Sequence, residues 1–187
     1  MKVCFIGNGS TNNLFDRNVI KYNFTVCCNI PQHGYKWDFI SIIDPQPIKI
    51  IESKKLNLGT IWCPPDTKRV ADNKKLLGNW MGIYKRKPWY NSGLLSIDFV
   101  CETYKEVEEI HLWGFNSLSM DDFHSQMDNL VPRKRKRNLN RYWVPRWKDV
   151  ISKYKNVTFY AHIPSDQSLK KEYKGYDNFK SYYHSIQ

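Results

Sequence analysis

Short apolar runs rich in β-branched and aromatic residues recur along the chain, and most of them end at a glycine, an asparagine, an aspartate or a proline. Apolar runs without polar alternation are typical of strands that a parallel sheet buries on both faces. The predicted strands span residues 3–6, 24–29, 39–44, 48–52, 60–63, 109–115 and 157–160.

Helical patterns separate several of these runs. Apolar residues such as Leu95, Ile97 and Val100 predict a helix from residue 94 to about residue 105. Residues 66–87 predict one helix followed by a loop, and residues 147–154 predict another helix. The pattern as a whole predicts an α/β fold, with a single Rossmann-like domain over residues 1–187 and a mostly parallel sheet flanked by helices.

The first predicted strand runs directly into Gly7-Asn8-Gly9-Ser10. The two glycines allow a sharp turn and a close approach to a ligand, and Ser10 or Thr11 is a candidate cap for a following helix. A helix N-terminus in that place attracts phosphate. The spacing matches neither the dinucleotide fingerprint nor the Walker P-loop, so an ordinary turn at the end of a strand is the alternative.

Polar residues also end the next two predicted strands, at Asn29 and Asp44, and in parallel sheets ligands bind beyond such strand ends. Asn91-Ser92-Gly93 precedes the helix predicted from residue 94 and supplies a second small-residue helix start. Small and amide residues in these places suit a nucleotide or a nucleotide-sugar. The predicted donor-binding residues are Gly7, Asn8, Gly9, Ser10, Asn29, Asn91, Ser92, Gly93 and Tyr142.

Composition narrows the class of partner. The net charge is +11, from 29 basic and 18 acidic residues among 187, and this favours polyanions such as nucleic acid, an anionic membrane surface or phosphorylated substrates. No run has the length of a membrane span. The five cysteines show no paired metal spacing and lie mostly in apolar runs, which predicts buried reduced thiols in a cytoplasmic protein.

A basic and aromatic segment lies at residues 133–147. It begins with five consecutive cations and continues with arginines interleaved with tyrosine and tryptophan, a mixture that suits phosphate contact together with base stacking. A solvated basic loop is the alternative. The predicted acceptor-binding residues are Arg133, Arg135, Arg137, Arg141 and Arg146.

Group transfer from a nucleotide donor needs a base for the attacking hydroxyl. Asp44 follows a predicted strand, and Asp121 and His124 follow the strand that ends at Gly114-Phe115; these three are the candidate catalytic residues. A turn aspartate and a solvated loop histidine are the alternatives. No His/Cys cluster has metal-ligand spacing, so we expect no metal.

Four segments, taken in order, resemble the bacterial sialyltransferases: residues 6–10, Cys28-Asn29, Asp44-Pro45 and residues 91–115. A similar pattern occurs in the animal sialyltransferases. The resemblance implies a Rossmann-like domain that binds a nucleotide-activated sugar without a metal, with Asn8, Gly9, Asn29, Ser92 and Gly93 lining the donor pocket. Those enzymes tend to have asparagine at the position of Asp44, and their catalytic histidine falls near residues 142–144, where this chain has none. Asp44, Asp121 or His124 would then serve as the base.

A small basic enzyme of this kind also looks like the phage-encoded sugar transferases that modify hydroxymethylated bases in viral DNA. We therefore expect a glycosyltransferase that moves a sugar from a UDP- or CMP-linked donor to such a base, in the cytoplasm of a host cell, with no cofactor beyond the donor. One alternative is a glycosyltransferase that acts on a cell-surface glycan. The other is a nucleotide- or nucleic-acid-binding module without catalysis.

Overall fold

The computed structural model describes residues 1–16, 18–30, 36–119 and 140–185. Within these ranges, eight strands form one sheet in which every neighbouring pair is parallel. The spatial order is β5-β4-β3-β2-β1-β6-β7-β8. The strands are β1 (Lys2–Ile6), β2 (Phe24–Cys28), β3 (Phe39–Ser41), β4 (Thr60–Cys63), β5 (Asn79–Gly82), β6 (Glu109–Trp113), β7 (Thr158–Pro164) and β8 (Phe179–His184).

In the described part of the chain, four α-helices flank this sheet: α1 (Pro45–Lys54), α2 (Pro65–Asn73), α3 (Ser92–Thr103) and α4 (Asn140–Lys153). Apolar residues of α3 and α4 pack with those of the central strands in one core, and apolar residues of α1 and α2 form a second core on the other face. The predicted α/β class with a parallel sheet is therefore confirmed. No helix in the described ranges has both the length and the apolar character needed to cross a bilayer.

One predicted strand was wrong, and two strands were missed. Residues 48–52 belong to helix α1 and not to a strand, because Pro45 occupies the first turn and the side chains of Ile48 and Ile51 reach the core at helical spacing. Strands β5 and β8 were missed. They form the two edges of the sheet, and most of their residues are partly or fully exposed, so they lack the continuous apolar run of a central strand.

A buried carboxylate joins helices α3 and α4. Asp98 is 2% exposed, accepts a hydrogen bond from the Tyr154 hydroxyl (2.7 Å) and forms an ion pair with Lys153 (2.9 Å). Lys87, in the loop before α3, forms a second ion pair with it. Burial raises the pKa of Asp98, but hydrogen bonds from Lys87, Lys153 and Tyr154 outweigh burial and hold the pKa below its usual value. This cluster fixes the loop that precedes α3 against the two helices.

A chain of hydrogen-bonded imidazoles links strands β6, β7 and β8. Nδ1 of His111 lies 2.9 Å from Nε2 of His162, and Nδ1 of His162 lies 2.8 Å from Nε2 of His184. At the other end, Nε2 of His111 lies 3.2 Å from Oε2 of Glu109. The ring of His162 also stacks on Trp113, with ring centroids 3.7 Å apart.

One set of tautomers satisfies this chain with all three histidines neutral. The ionised carboxylate of Glu109 can only accept, so His111 donates through Nε2 and accepts at Nδ1. His162 then donates from Nε2 to His111 and accepts at Nδ1 from His184. Burial, followed by the neighbouring His111 and His184, lowers the pKa of His162 from 6.5 to about 2, and burial also lowers the pKa of His111 and of His184.

These shifts predict that the free energy of unfolding falls as the pH drops below 6.5. The unfolded chain binds protons at its histidines from about pH 6.5 downward, whereas His162 stays neutral in the folded protein until about pH 2. The contribution of the neutral histidines to the free energy of unfolding is therefore complete above pH 6.5 and is lost toward pH 2. The free energy of unfolding falls by up to about 1.4 kcal/mol per pH unit for each histidine that stays neutral in the folded protein. Urea titrations from pH 8 to pH 5 measure this slope.

His162→Phe keeps a ring against Trp113 but has no proton to bind. We expect this variant to be less stable at pH 8, because His111 and His184 lose their partner, and to show a shallower pH dependence than the parent. Equal slopes in the two proteins would contradict the assignment.

Candidate functional site

The strand order places a topological switch point between β1 and β6. The chain builds the sheet outward from β1 to β5 and then returns through α3 to β6, on the opposite side of β1. Ligands of open parallel sheets bind at the carboxyl ends of the strands beside such a point. The loops that follow β1 and β6 therefore define where a site is expected.

The crevice between these two loops is filled by the loops themselves. A Cβ atom on Gly7 would lie 2.6 Å from the carbonyl oxygen of Gly114, and one on Gly9 would lie 2.3 Å from Oδ1 of Asn116. The N–H of Gly7 donates to the Trp113 carbonyl (2.7 Å) and that of Gly9 to the Gly114 carbonyl (2.9 Å). Both glycines are thus required by contact between the loops. Their roles as donor contacts stay predictions, and neither N–H is free to bind a phosphate.

Asn116, which was not among the predicted site residues, holds the two loops together. Its side-chain oxygen accepts from the hydroxyl of Thr11 (2.6 Å) and the N–H of Thr11 (3.3 Å), and the residue is 3% exposed. The element after β1 is a 3-10 helix, Ser10–Leu14, whose N-cap is Gly9, so the prediction that Ser10 or Thr11 caps a helix was wrong. The position of Asn116, two residues beyond the glycine that follows strand β6, is the signal in the sequence that could have identified it.

Beside the closed crevice, three of the predicted loops come together. The side-chain amide of Asn8 donates to the carbonyl of Cys28 (2.8 Å), which joins the β1 and β2 loops. The hydroxyl of Ser92 donates to Oδ1 of Asn29 (3.2 Å), which joins the β2 loop to the start of α3. Asn29 has the left-handed φ of 63° that asparagine tolerates better than most residues. Asn8, Asn29 and Ser92 therefore lie close together at the carboxyl edge of the sheet.

A polar layer supports this place from below. The hydroxyl of Ser41, at the end of β3, donates to the carbonyl of Ser92 (3.0 Å) and accepts from the hydroxyl of Tyr84 (3.1 Å). Burial raises the pKa of the Cys28 thiol to about 12, despite an opposing hydrogen bond with Ser96. Cys28 is therefore a neutral thiol and not a nucleophile at physiological pH. All five cysteines are buried and free, as predicted.

Helix α3 directs its N-terminus at the same edge. Its N-cap is Asn91, whose side chain accepts from the N–H of Leu94 (2.9 Å). Gly93 packs against the ring of Phe115, since a Cβ there would lie 2.4 Å from Cε1 of that ring. The first N–H groups of an α-helix have no acceptor within the helix, so the N-terminus of this 12-residue helix carries partial positive charge toward the site.

Asp44 is exposed and is the N-cap residue of α1, three residues beyond the end of β3. Its side chain makes no capping hydrogen bond. Arg86 lies close by in the structure, because its guanidinium donates to the carbonyl of Ile43 (3.1 Å) while it pairs with Asp66 (3.0 Å). The carboxylate of Asp44 thus stands at the same edge of the sheet as Ser41 and Ser92.

Tyr142 lies at the start of α4 and stacks on Trp89, with ring centroids 4.3 Å apart and planes 9° from parallel. The exposed Arg141 lies over the Tyr142 ring. Arg146, one turn further along α4, forms an ion pair with Asp149 (2.8 Å).

Several predicted site residues fall outside the described ranges. These are Asp121, His124, Arg133, Arg135 and Arg137, and of Ser10 only the backbone is described. Within the described ranges, no group of three or more His, Cys, Asp or Glu side chains is arranged to hold a metal ion.

A pocket of ≈ 530 Å³ opens elsewhere, between helices α1 and α2. Among its lining residues, Lys74 is paired with Glu52 (2.7 Å) and Arg86 with Asp66 (3.0 Å). None of the predicted donor-binding residues lines it.

The contact between the β1 and β6 loops predicts that Gly114→Ala is strongly destabilising. Gly114 has a φ of +71°, and a Cβ there would lie 2.6 Å from the Gly7 carbonyl and 2.7 Å from Cβ of Asn12. We expect a loss of about 2 kcal/mol or more in the free energy of unfolding, measured by urea denaturation. Gly175→Ala is the matched control, since nothing lies within 4 Å of its added Cβ, and we expect it to change stability by less than about 0.5 kcal/mol. Similar losses of stability in both variants would show that glycine at position 114 is not required by the contact between the two loops.

Comparison with known proteins gives no match to any family model, to any curated protein or to any solved structure. The function proposed below therefore rests on the residues and geometry of this chain.

Proposed function

We propose that the protein is a sialyltransferase-like glycosyltransferase that moves a sugar from a nucleotide-sugar donor to the hydroxyl of a hydroxymethylated base in DNA. The observation that carries the proposal is the pair of hydrogen bonds, Asn8 to Cys28 and Ser92 to Asn29, that gathers the β1 loop, the β2 loop and the start of α3. A shared place of this kind, at the carboxyl edge of a parallel sheet, is where nucleotides bind in such folds.

Each group at that place has a role in donor binding. The N-terminus of α3 supplies N–H groups and positive potential for the phosphate of the donor. Amide side chains, Asn8 and Asn29 here, carry both donors and acceptors and suit the hydroxyls of a ribose or a sugar. The layer of Ser41, Tyr84 and Ser96 beneath them fixes the carbonyl of Ser92, so the site is held in place before the donor arrives.

The transfer itself needs one bond formed and one broken. The acceptor oxygen bonds to the anomeric carbon of the sugar, and the bond from that carbon to the phosphate oxygen breaks. The departing phosphate takes the electron pair, and the partial positive charge at the N-terminus of α3 stabilises it. Asp44 takes the proton of the acceptor hydroxyl, because it follows β3 at the carboxyl edge of the sheet and is exposed there.

We assign DNA as the acceptor because the protein carries a large positive charge. A net charge of +11 attracts the DNA backbone, and the exposed Arg141 lies at the start of α4, near the loop that leads into α3. Duplex DNA presents a hydroxymethyl group on its base either in the major groove or after the base is extruded. Phosphate contacts position the duplex and leave base recognition to the donor edge of the protein.

Donor binding is tested with a panel of UDP- and CMP-linked sugars. At 100 times its Kd, a donor that binds only the folded protein adds about 2.7 kcal/mol of stability, which corresponds to a thermal shift of roughly 5–10 °C for a domain of this size. Ser92→Ala removes the hydrogen bond to Asn29, and we expect it to weaken donor binding about five- to tenfold in calorimetry.

Ser53→Ala is the matched control for this measurement. Among the residues that the structure describes, the Ser53 hydroxyl bonds only to the carbonyl of Ile50 within α1, so its loss should leave donor affinity unchanged. If no donor in the panel shifts the melting temperature, or if the two serine variants bind equally well, the donor site is refuted.

The role of Asp44 is tested by Asp44→Asn, which keeps the shape of the side chain but cannot take a proton. We expect sugar transfer to hydroxymethylcytosine DNA, followed by mass spectrometry of the product, to fall by about 10²–10⁴-fold with donor affinity unchanged. Transfer at the parental rate would remove Asp44 as the base. Product on a glycan but never on DNA would assign the other acceptor, and no nucleotide release with any acceptor would leave a binding module.

A further inference from the structure

The largest exposed aromatic side chain in the described ranges is that of Trp89. It is 56% exposed, whereas five other tryptophans are buried: Trp37, Trp62, Trp80, Trp113 and Trp147. Trp89 also has a φ of +64°, a left-handed conformation that bulky residues rarely adopt. Strained backbone of this kind concentrates at ligand-binding positions, so the residue calls for a functional explanation.

Trp89 belongs to an ordered stack of aromatic and cationic groups. Its ring lies parallel to that of Tyr142 at 4.3 Å, and the guanidinium of Arg141 lies 4.6 Å from the centre of the Tyr142 ring. Arg141 also donates from Nη2 to the Tyr142 hydroxyl (2.5 Å). The stack thus joins the loop before α3 to the first turn of α4, and Trp89 remains more than half exposed despite this contact.

Several cations lie near Trp89 in the chain, and some of them are paired with carboxylates. Trp89 follows Lys85, Arg86 and Lys87 in the chain. Arg86 and Lys87 are held by ion pairs to Asp66 and Asp98, but the exposed Lys85 has no carboxylate partner among the residues that the structure describes. The same holds for Arg141. Arg141 beside Tyr142, and Lys85 four residues before Trp89 in the chain, are therefore two cations without a carboxylate partner in the described ranges.

The location of the stack connects it with the donor site. Trp89 is two residues before Asn91, the N-cap of α3, and three before Ser92, which contacts Asn29. The donor residues Asn8 and Ser92 are buried, whereas Trp89 stands exposed at the rim. A ligand that reaches the rim while its reactive group approaches the donor edge must be extended, and the cations Lys85 and Arg141 favour an anionic ligand.

We propose that Trp89, supported by Tyr142 and the adjacent Arg141, is a stacking platform for a base of single-stranded DNA or for a base extruded from a duplex. Stacking on an indole combined with cation contact to the backbone is how proteins hold single-stranded nucleic acid without reading its sequence. The inference deepens the acceptor half of the proposed function and rests on it for the reaction that follows. DNA binding at this platform does not require the donor.

The test is a fluorescence titration with a short single-stranded oligodeoxynucleotide at fixed low salt and without any donor. Because most of the other tryptophans are buried, quenching by DNA should come from Trp89. We expect Trp89→Ala to abolish most of the quenching and to weaken binding, measured by anisotropy of a labelled strand, by about five- to 150-fold. Trp89→Phe should retain part of the affinity.

Two further variants distinguish the loss of a DNA contact from a change in the structure of the protein. Trp89→Asn places a residue that tolerates positive φ at this position, so its backbone should stay in place while the stacking face is lost. Tyr183→Ala truncates an equally exposed aromatic side chain on strand β8 and should bind DNA like the parent. Circular dichroism checks that each variant is folded.

Parental affinity in both Trp89→Ala and Trp89→Asn would overturn the platform. It would also be overturned if free UDP or CMP quenched Trp89 and competed with the oligonucleotide, since the stack would then hold the donor base. If DNA quenches Trp89 but no nucleotide-sugar binds, the platform stands and the transferase proposal fails. If donors bind but DNA does not, the platform fails alone.

Discussion

The close approach of two backbone turns, one after β1 and one after β6, is the constraint on which the rest of the architecture depends. Gly7 and Gly114 meet with no side chain between them, and hydrogen bonds from Gly7 and Gly9 to the β6 turn join the two halves of the sheet. Because this contact occupies the usual ligand crevice of the fold, the candidate site lies one strand further along, where the β2 loop and the start of α3 meet. The position of the candidate site is therefore a consequence of how the two halves are joined.

Much of the fold followed from the sequence because strands buried on both faces have a recognisable composition. The central strands carry continuous apolar runs, so their existence and parallel arrangement were predictable. The edge strands β5 and β8 carry few buried residues, and their pairing is decided by neighbours that a local pattern does not contain. Helix α1 was mistaken for a strand because its isoleucines mimic a β-rich run, although Pro45 in its first turn was a usable signal.

Likewise, some residues of the candidate site were predictable from the sequence and others were not. Asn8, Asn29 and Ser92 were predictable as neighbours, because the carboxyl ends of adjacent parallel strands share one edge and a returning helix starts there. Asn116 and the Trp89–Tyr142 stack were not predictable, since each depends on a contact between segments distant in sequence. The glycines of the first turn were correctly identified as a place where a Cβ is excluded. The group that excludes it is another part of the chain, which sequence spacing does not reveal.

The imidazole chain across β6, β7 and β8 has a consequence for how the sheet assembles. Apolar side chains tolerate many neighbours, but both ring nitrogens of His111 and of His162, and Nε2 of His184, each have one partner of defined direction. Sliding β8 by one residue would turn His184 to the opposite face and leave His162 buried without its second partner. The histidines thus fix the register of an edge strand whose own hydrophobic pattern is too weak to select a single alignment. A sheet of this kind can end in a polar, half-exposed strand and still have one defined pairing.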